Sequence, residues 1–349
     1  MSSRTRSVLA ELAVLSVSVI AATAAGCGSG ASGGANNTGQ SPADPAGTGT
    51  APSGSRDASL SPVASSGWAS VSAGDGNTCA IRVDGAVACW GAGASPSHSY
   101  LTPPAGRFVS VSVGSLHACG VRDDGTIACW GYDPYGAATP PAGTFVSVSA
   151  GYGHTCAVAT DQTVVCWGLG LPGVTGPDDR GQSSPPPGTF ASVSAGCRHT
   201  CGVKTDGTVA CWGDHLFGSA TTPPAGTFTS VSAGSYYTCG VTTEGAIACW
   251  GSDVNLRQAP PQGPFVSVTV GGGSAGVGVG GALICGQRDD GTVVCWNDSP
   301  SYASITPTPP VGTFISVSAG GHHICGVKTD TTIACWGMNE YGEATPPTI

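Results

Sequence analysis

One of seven similar copies along the chain reads Ser194-Ala-Gly-Cys-Arg-His-Thr-Cys-Gly-Val-Lys-Thr-Asp-Gly-Thr-Val-Ala-Cys-Trp-Gly213. The fold follows from this repetition. The first cysteine of the pair in each copy stands at position 79, 119, 156, 201, 239, 285 or 325, and the second follows ten residues later, directly before a tryptophan. Short apolar segments that recur about every 40 residues are typical of β-propeller blades. We therefore predict an all-β fold, a seven-bladed β-propeller, over residues 67–349.

The ten-residue spacing predicts a disulfide bond within each copy. A type I turn at Thr205-Asp206, with Gly207 in the left-handed region, makes a tight hairpin that places Cys201 opposite Cys211. At a non-hydrogen-bonded site the Cα atoms of such a pair are about 4.5 Å apart, a gap that a disulfide can bridge. Zinc is disfavoured, because structural zinc sites usually have two to four residues between their cysteines. The predicted pairs are Cys79–Cys89, Cys119–Cys129, Cys156–Cys166, Cys201–Cys211, Cys239–Cys249, Cys285–Cys295 and Cys325–Cys335.

The same hairpin gives two finer expectations. On the face opposite the cysteines, Trp212 is expected to lie diagonally over the small residue Gly202. Two copies lack the turn glycine and have Gln162 or Thr331 in its place. We expect a distorted turn around Thr331, because a β-branched residue is costly in the left-handed region.

Two cysteines, Cys27 and Cys197, are left over from the seven pairs. We interpret Cys197 as a buried replacement for the Ser or Tyr of other copies; the alternative is a reactive thiol or an intermolecular bridge. A histidine stands two residues before the first paired cysteine in four copies. We expect it to form structural hydrogen bonds rather than a metal site, since equivalent positions in different blades are far apart. These residues are His117, His154, His199 and His323.

The amino terminus has the layout of a secretory signal. Arg4 and Arg6 precede the uncharged stretch Leu12 to Ala25, which is too short to span a bilayer comfortably. The end of this stretch, Ala24-Ala-Gly-Cys27, resembles the bacterial lipoprotein box, a resemblance that implies a lipid on Cys27. The alternative is an ordinary cleaved signal with an incidental cysteine. We predict a signal peptide over residues 1–26 and, because residues 27–66 are rich in Gly, Ser and Pro, a flexible linker there.

Composition excludes several classes of function. The net charge is −9 and no basic run is present, so nucleic acid is a poor partner. The 16 cysteines favour an oxidising compartment. We therefore expect an exported protein, lipid-anchored to the bacterial cell envelope at the outer membrane or cell surface, or otherwise periplasmic or secreted, that meets membrane only through its N-terminal lipid.

No chemistry of catalysis is visible in the sequence. We find no nucleophile elbow, paired-carboxylate site or phosphate loop, and predict neither enzymatic activity nor a cofactor nor a metal. A calcium site at Asp178-Asp179 is unsupported by any ligand spacing.

The repeated pattern over 194–213 resembles the regulator of chromosome condensation repeat. It is similar to the short-repeat bacterial branch, which includes a secreted, seven-bladed β-lactamase-inhibitory protein. After Trp-Gly the family usually has Asn-x-x-Gly-Gln, and this chain has Tyr132-Asp-Pro-Tyr-Gly136, Asp214-His-Leu-Phe-Gly218 and Met338-Asn-Glu-Tyr-Gly342. The nuclear branch exchanges nucleotide on a small GTPase and contacts chromatin. The expected export and the acidic net charge of this chain oppose that activity. A shared fold alone does not imply a shared function.

We interpret the chain as a monomeric module that binds an unidentified protein. The loops after each Trp-Gly vary in length and carry the predicted contact residues Tyr132, Tyr135, Phe217 and Tyr341. Aromatic side chains beside acidic ones suit a protein partner; the alternative is that the rings pack the blade edge. By analogy with the β-lactamase-inhibiting relative, the alternative is an inhibitor of an extracellular enzyme.

Overall fold

The computed structural model describes residues 67–91, 102–171, 173, 179–214, 222–251, 259–271, 283–297 and 308–348. The regular structure of these residues is β-strand throughout, in seven antiparallel sheets of three strands each. None of them belongs to a helix with the length and hydropathy needed to cross a bilayer. Cys27 and the predicted signal and linker segments lie outside the described residues.

The first three blades take their strands in chain order from the inner edge outward. They are β1 (Trp68–Ala73), β2 (Asn77–Arg82) and β3 (Val87–Gly91); β4 (Phe108–Val113), β5 (His117–Arg122) and β6 (Ile127–Gly131); and β7 (Phe145–Ala150), β8 (His154–Ala159) and β9 (Val164–Gly168).

The remaining four blades repeat this order. They are β10 (Phe190–Ala195), β11 (His199–Lys204) and β12 (Val209–Gly213); β13 (Phe228–Ala233), β14 (Tyr237–Thr242) and β15 (Ile247–Gly251); β16 (Ser267–Gly271), β17 (Leu283–Gln287) and β18 (Val293–Asn297); and β19 (Phe314–Ala319), β20 (His323–Lys328) and β21 (Ile333–Gly337).

Each hairpin between the second and third strands has the predicted register and disulfide. In blade 4, Cys201 lies opposite Cys211 and Val203 opposite Val209. All seven predicted pairs are bonded, with Cα atoms 4.0–4.1 Å apart. The tight turn therefore sets the pairing of the strands, and the pairing sets which thiols meet.

The hydrophobic core consists of seven clusters, one in each seam between neighbouring blades. In the seam between blades 3 and 4, Cys156 and Val158 pack against Phe190 and Trp212. One face of each blade thus presents its disulfide, and the other face presents aromatic rings. Because each cluster draws on two blades, a blade cannot bury its nonpolar faces alone.

The ring that covers the small residue is the phenylalanine of the inner strand, not the tryptophan. A Cβ added at Gly202 would lie 2.7 Å from Phe190 Cδ1. Trp212 packs on Phe190 instead, in a T-shaped arrangement with the ring centroids 6.0 Å apart. The prediction that Trp212 covers Gly202 was wrong, because the inner strand brings a second aromatic ring to the same face.

A circle of hydrogen bonds joins the inner strands. The Val113 backbone N–H donates to Ser72 Oγ at 3.0 Å, and equivalent bonds follow from blade to blade. The last bond, from the Ala73 N–H to Ser318 Oγ at 2.8 Å, joins blade 1 to blade 7 and closes the ring. The alternating Ser-x-Ser pattern of the inner strand thus supplies one hydroxyl acceptor to each seam, with Thr269 in blade 6.

The turn of the seventh copy is regular, so the expected distortion was wrong. Thr331 adopts a φ of 66° and Gln162 a φ of 69°, the region occupied by the turn glycines of the other hairpins. The Thr331 N–H donates to Lys328 O at 2.9 Å, as the Gly207 N–H does to Lys204 O. Thr331 O then accepts from the Trp68 N–H at 2.9 Å across the seam to blade 1. Bonds on both sides hold the threonine in a costly conformation.

Cys197 is buried, with 5% of its surface exposed, as expected for a replacement of a small polar residue. Its sulfur is nevertheless engaged in a disulfide bond. The other 14 cysteines of the described residues pair among themselves, so the partner of Cys197 lies outside those residues.

Candidate functional site

The two ends of the ring differ in construction. We call the end that carries the hairpin turns and the starts of the inner strands the hairpin face. The opposite end, which carries the loops that follow each Trp-Gly, is the loop face. Seven-fold repetition presents equivalent positions on each face, so departures from the repeat are informative about function.

On the loop face, three of the loops after Trp-Gly reach across a seam and hold the next blade. Glu343 O, in the loop of blade 7, accepts from Trp90 Nε1 at 2.9 Å and from Thr78 Oγ1 at 3.0 Å in blade 1. Ala137 O does the same for Trp167 and Thr155 of blade 3, and Gln182 O for Trp212 and Thr200 of blade 4.

We call such a backbone carbonyl, which accepts from a Trp and a Thr of the next blade, a carbonyl clamp. It was not predicted from the sequence, although a signal was present. Each clamping residue follows a glycine of positive φ: Gly136 at 77°, Gly181 at 75° and Gly342 at 80°. In blade 3 this is the pair Gly181-Gln182, which matches the end of the Asn-x-x-Gly-Gln pattern beyond the long insertion.

The four equivalent histidines form structural hydrogen bonds, as expected. His117 Nε2 lies 2.6 Å from Thr155 Oγ1 in the next blade. Because that hydroxyl already donates to Ala137 O, it accepts from His117, which fixes the neutral imidazole with its proton on Nε2. The other three pairs are His154 with Thr200, His199 with Thr238 and His323 with Thr78.

Burial keeps these imidazoles neutral. Desolvation lowers the pKa of His117 and of His199 to about 4. It lowers the pKa of His154 and of His323 to about 3, with further lowering by the charge of neighbouring histidines. The three other seams have no histidine at these positions: Asn77 stands with Ala118, Tyr237 with Ile284 and Leu283 with Ile324. A histidine thus occurs only where the facing residue is a threonine.

The predicted contact residues of the loop face divide into exposed and packed groups. Tyr132 is 55% exposed and Tyr341 is 63% exposed, so both are available to a partner. Tyr135 is half-buried and lies over Gly153 of the next blade, where an added Cβ would be 2.9 Å from its ring. Phe217 lies outside the described residues.

The acidic neighbours of these rings have structural roles. Asp133 accepts from the Ala138 N–H and from Thr139 Oγ1, which closes the loop of blade 2. Asp214 is buried at 7% exposure, with Oδ2 3.7 Å from Arg180 Nε. Of the carboxylates that the sequence placed beside exposed aromatics, only Glu340 stands outside such contacts among the described residues.

Sequence reasoning missed the nonpolar surface on the hairpin face. The residue after the aromatic residue that begins the inner-strand motif is exposed in every blade, and several copies carry a branched aliphatic side chain there. The exposed fraction is 49–54% for Val109, Val146, Val266 and Ile315. These side chains all lie on the hairpin face. The alternation of the inner strand did not reveal them, because an irregularity in register follows the first residue in six of the seven strands.

The comparison with protein families decides the identity of the repeat. The model of the regulator of chromosome condensation (RCC1) repeat matches residues 108–137, 145–170, 190–219, 228–255 and 314–343. The chain therefore contains regulator of chromosome condensation repeats. The matched residues form blades 2, 3, 4, 5 and 7. Placement in the short-repeat bacterial branch stays a prediction.

Solved structures similar to this chain include two plant receptor ectodomains. The ectodomain of the receptor kinase CR4 from Physcomitrella patens is 26% identical, with a TM-score of 0.61, over 77% of this chain and 72% of that chain. The CRINKLY WD40 ectodomain of ACR4 from Arabidopsis thaliana is also 26% identical, with a TM-score of 0.60, over 78% of this chain and 96% of that chain. No curated protein matches the sequence.

Over the residues that the structure describes, no three His, Cys, Asp or Glu side chains come together in a metal-binding group. The turn aspartates serve the hairpins instead: Asp206 Oδ1, for example, accepts from the Thr208 N–H at 2.9 Å and from Thr208 Oγ1 at 2.7 Å. Asp178, of the candidate calcium pair, lies outside the described residues.

Proposed function

We propose that the chain is an exported, non-catalytic propeller that binds a protein partner at the bacterial cell envelope. The observation that carries this proposal is the group of large nonpolar side chains left exposed on a rigid, disulfide-bonded ring. Exposed nonpolar surface rimmed by polar residues is typical of interaction sites. The similarity to two ectodomains supports a location outside the cytoplasm.

The proposal is tested by capture with matched face variants. The full-length exported chain is compared with a loop-face variant, Tyr132→Ser/Tyr341→Ser, and a hairpin-face variant, Val109→Ser/Ile315→Ser. All four residues are about half exposed or more, so neither variant disturbs the buried core. Capture from a cell-envelope extract, read by mass spectrometry, should recover a protein that one of the two variants loses. Recovery of the same proteins with all three chains would contradict specific binding by either face.

We further propose that Cys27 carries the lipid that anchors the protein. The alternative use of Cys27 is a disulfide bond with Cys197, the other cysteine left over from the seven pairs. A sulfur in a thioether to lipid has no bond left for a disulfide, so the two uses of Cys27 exclude each other.

Mass spectrometry of the protein purified from the cell envelope separates the two uses. A Cys27 peptide with the mass of a diacylglyceryl group supports the anchor. A non-reduced digest in which the Cys27 and Cys197 peptides are joined contradicts it, and would describe a protein whose amino-terminal segment is fastened to the propeller.

A further inference from the structure

A groove lies on the hairpin face. It has a volume of about 500 Å³ and lies where blades 7, 1 and 2 meet. Its walls include Ala69, Val83, Val109 and Ile315, together with Arg82 and Arg107. Grooves of this size are in the range of small binding sites in proteins.

The groove opens because blade 1 has a small side chain at the axis. Ala69 occupies the second position of its inner strand, between Ile315 of blade 7 and Val109 of blade 2. A larger side chain at this position would fill the space. Blade 4 also has an alanine there, Ala191, but threonines stand around it in place of Val83, Arg107 and Val109.

Two residues of the groove wall, Val83 and Arg107, stand at positions where other blades have a hydrogen-bonded pair of threonines. In four blades the residue before the inner strand is a threonine whose hydroxyl bonds a second threonine in the hairpin, as Thr189 bonds Thr205 at 2.7 Å. Val83 stands at the hairpin position in blade 1 and is 47% exposed. Arg107 stands at the other position in blade 2. These changes make the groove more nonpolar and more basic than its equivalents.

Both arginines are placed to bind a carboxylate at the edge of a nonpolar surface. Arg82 Cζ stacks 5.4 Å from the centroid of the Trp68 ring, which orients its guanidinium. Arg107 Nε lies 3.6 Å from Asp123 Oδ2, but both side chains are more than half exposed. An ion pair as exposed as this one contributes little to stability, so a carboxylate of a partner can compete for Arg107. Guanidinium groups bind carboxylates with paired hydrogen bonds.

We infer that this groove, which we call the 7-1-2 groove, binds a segment of a partner protein in which an aliphatic side chain stands next to an Asp or Glu. The aliphatic side chain enters the space above Ala69, between Val109 and Ile315, and the carboxylate meets Arg82 and Arg107. This inference deepens the proposed function and rests on it, because it names the surface and the chemistry of the partner segment.

A phage-displayed library of random heptapeptides, panned against the full-length chain, tests the inference. Enriched peptides should share an aliphatic residue beside an acidic one. Arg107→Glu and Ala69→Ile should each weaken the binding of an enriched peptide by at least about tenfold, because one reverses a charge and the other fills the space. The same changes at equivalent positions in blade 4, Thr189→Glu and Ala191→Ile, should alter it by no more than about twofold. Unchanged thermal unfolding verifies that each variant is folded.

Three outcomes would overturn the inference: no enrichment, enrichment of peptides without an acidic residue, or equal losses in the blade 4 controls. Its failure is distinguishable from failure of the proposed function. A captured envelope protein that is lost with Tyr132→Ser/Tyr341→Ser but retained by Ala69→Ile and Arg107→Glu would preserve the function and place it on the other face.

Discussion

At the scale of single residues, the repeat tolerates an unfavourable backbone where the surrounding bonds dictate it. Thr331 and Gln162 are the only described residues other than glycine with positive φ. In both hairpins the carbonyl of this residue accepts from the first N–H of the next inner strand, so the conformation is needed for blade contact. The cost falls on the side chain, because a Cβ crowds the backbone in the left-handed region.

Replacing Thr331 by glycine should therefore stabilise the protein. We expect a gain of about 1 kcal/mol, since a left-handed conformation costs a non-glycine residue about 1–2 kcal/mol and glycine has more entropy to lose on folding. The midpoint of guanidinium unfolding measures the gain. Gly207→Thr, the reverse change in blade 4, should cost a similar amount. A loss of stability in Thr331→Gly would show that contacts of the threonine side chain outweigh its strain.

A second residue-scale prediction concerns the hydroxyl that joins histidine to carbonyl. Thr200→Val removes the acceptor of His154 Nε2, which stays buried, and one of the two donors to Gln182 O, which keeps its bond from Trp212. We expect a loss of about 2 kcal/mol or more, the usual cost of an unsatisfied buried polar group. Thr205→Val, at an exposed position on the same strand's turn, is the control. Equal unfolding midpoints of the two variants would contradict a role for the buried hydroxyl.

At the scale of the element, the unit is a three-stranded sheet with a covalent bond across its outer hairpin. The tight turn alone places the two cysteines opposite each other, and the disulfide follows from that register. The sheet has no core of its own, since its rings and its disulfide are buried only in the seams. The bond therefore acts chiefly on the unfolded chain, by limiting the freedom of a short loop.

Cys201→Ala/Cys211→Ala should thus weaken the protein without changing its fold. The chain-entropy model gives about 3 kcal/mol for a loop of this length, less where the hairpin persists in the unfolded state. Far-ultraviolet circular dichroism should be unchanged, and the guanidinium midpoint should fall. Loss of the β signal in the folded baseline would mean that the bond, rather than the turn, sets the register.

At the scale of the whole molecule, seven seams close a ring, and they are of two kinds. Four contain a buried neutral histidine bonded to a threonine, and three contain none. The pKa of each of these histidines is lower in the folded state than its ordinary value of 6.5. The unfolded chain therefore binds more protons than the folded one as the pH falls below 6.5.

Stability should accordingly be greatest above pH 6.5 and should fall as the pH decreases toward about 4. Each histidine that is protonated only in the unfolded chain contributes a slope of about 1.4 kcal/mol per pH unit. Urea unfolding at a series of pH values measures the slope. The double change His117→Asn/Thr155→Ala, which copies the Asn77 and Ala118 pair of another seam, should remove the contribution of one histidine. An unchanged slope in that variant would contradict the assignment.

Features that depend on short stretches of the chain were predicted from the sequence, and features that depend on long-range contacts were not. The hairpin register, the seven disulfides, the number of blades and the structural role of the histidines were predicted from the sequence, because each depends on turn chemistry or on the repeat period. The covering ring of Gly202 was not predicted correctly, since Phe190 and Trp212 meet only through the pairing of β10 with β11. The carbonyl clamps and the nonpolar ring on the hairpin face were missed for the same reason.

The repeating element could be predicted from the sequence alone. A tight turn and strand alternation act over a few residues, so they are visible in the spacing of the cysteines and apolar residues. Only the tertiary structure decided which surfaces remain exposed. Ala69, Val109 and Ile315 are far apart in sequence and meet at one groove because the seventh blade packs against the first. Surface chemistry of this kind depends on ring closure, a long-range contact that no single repeat encodes.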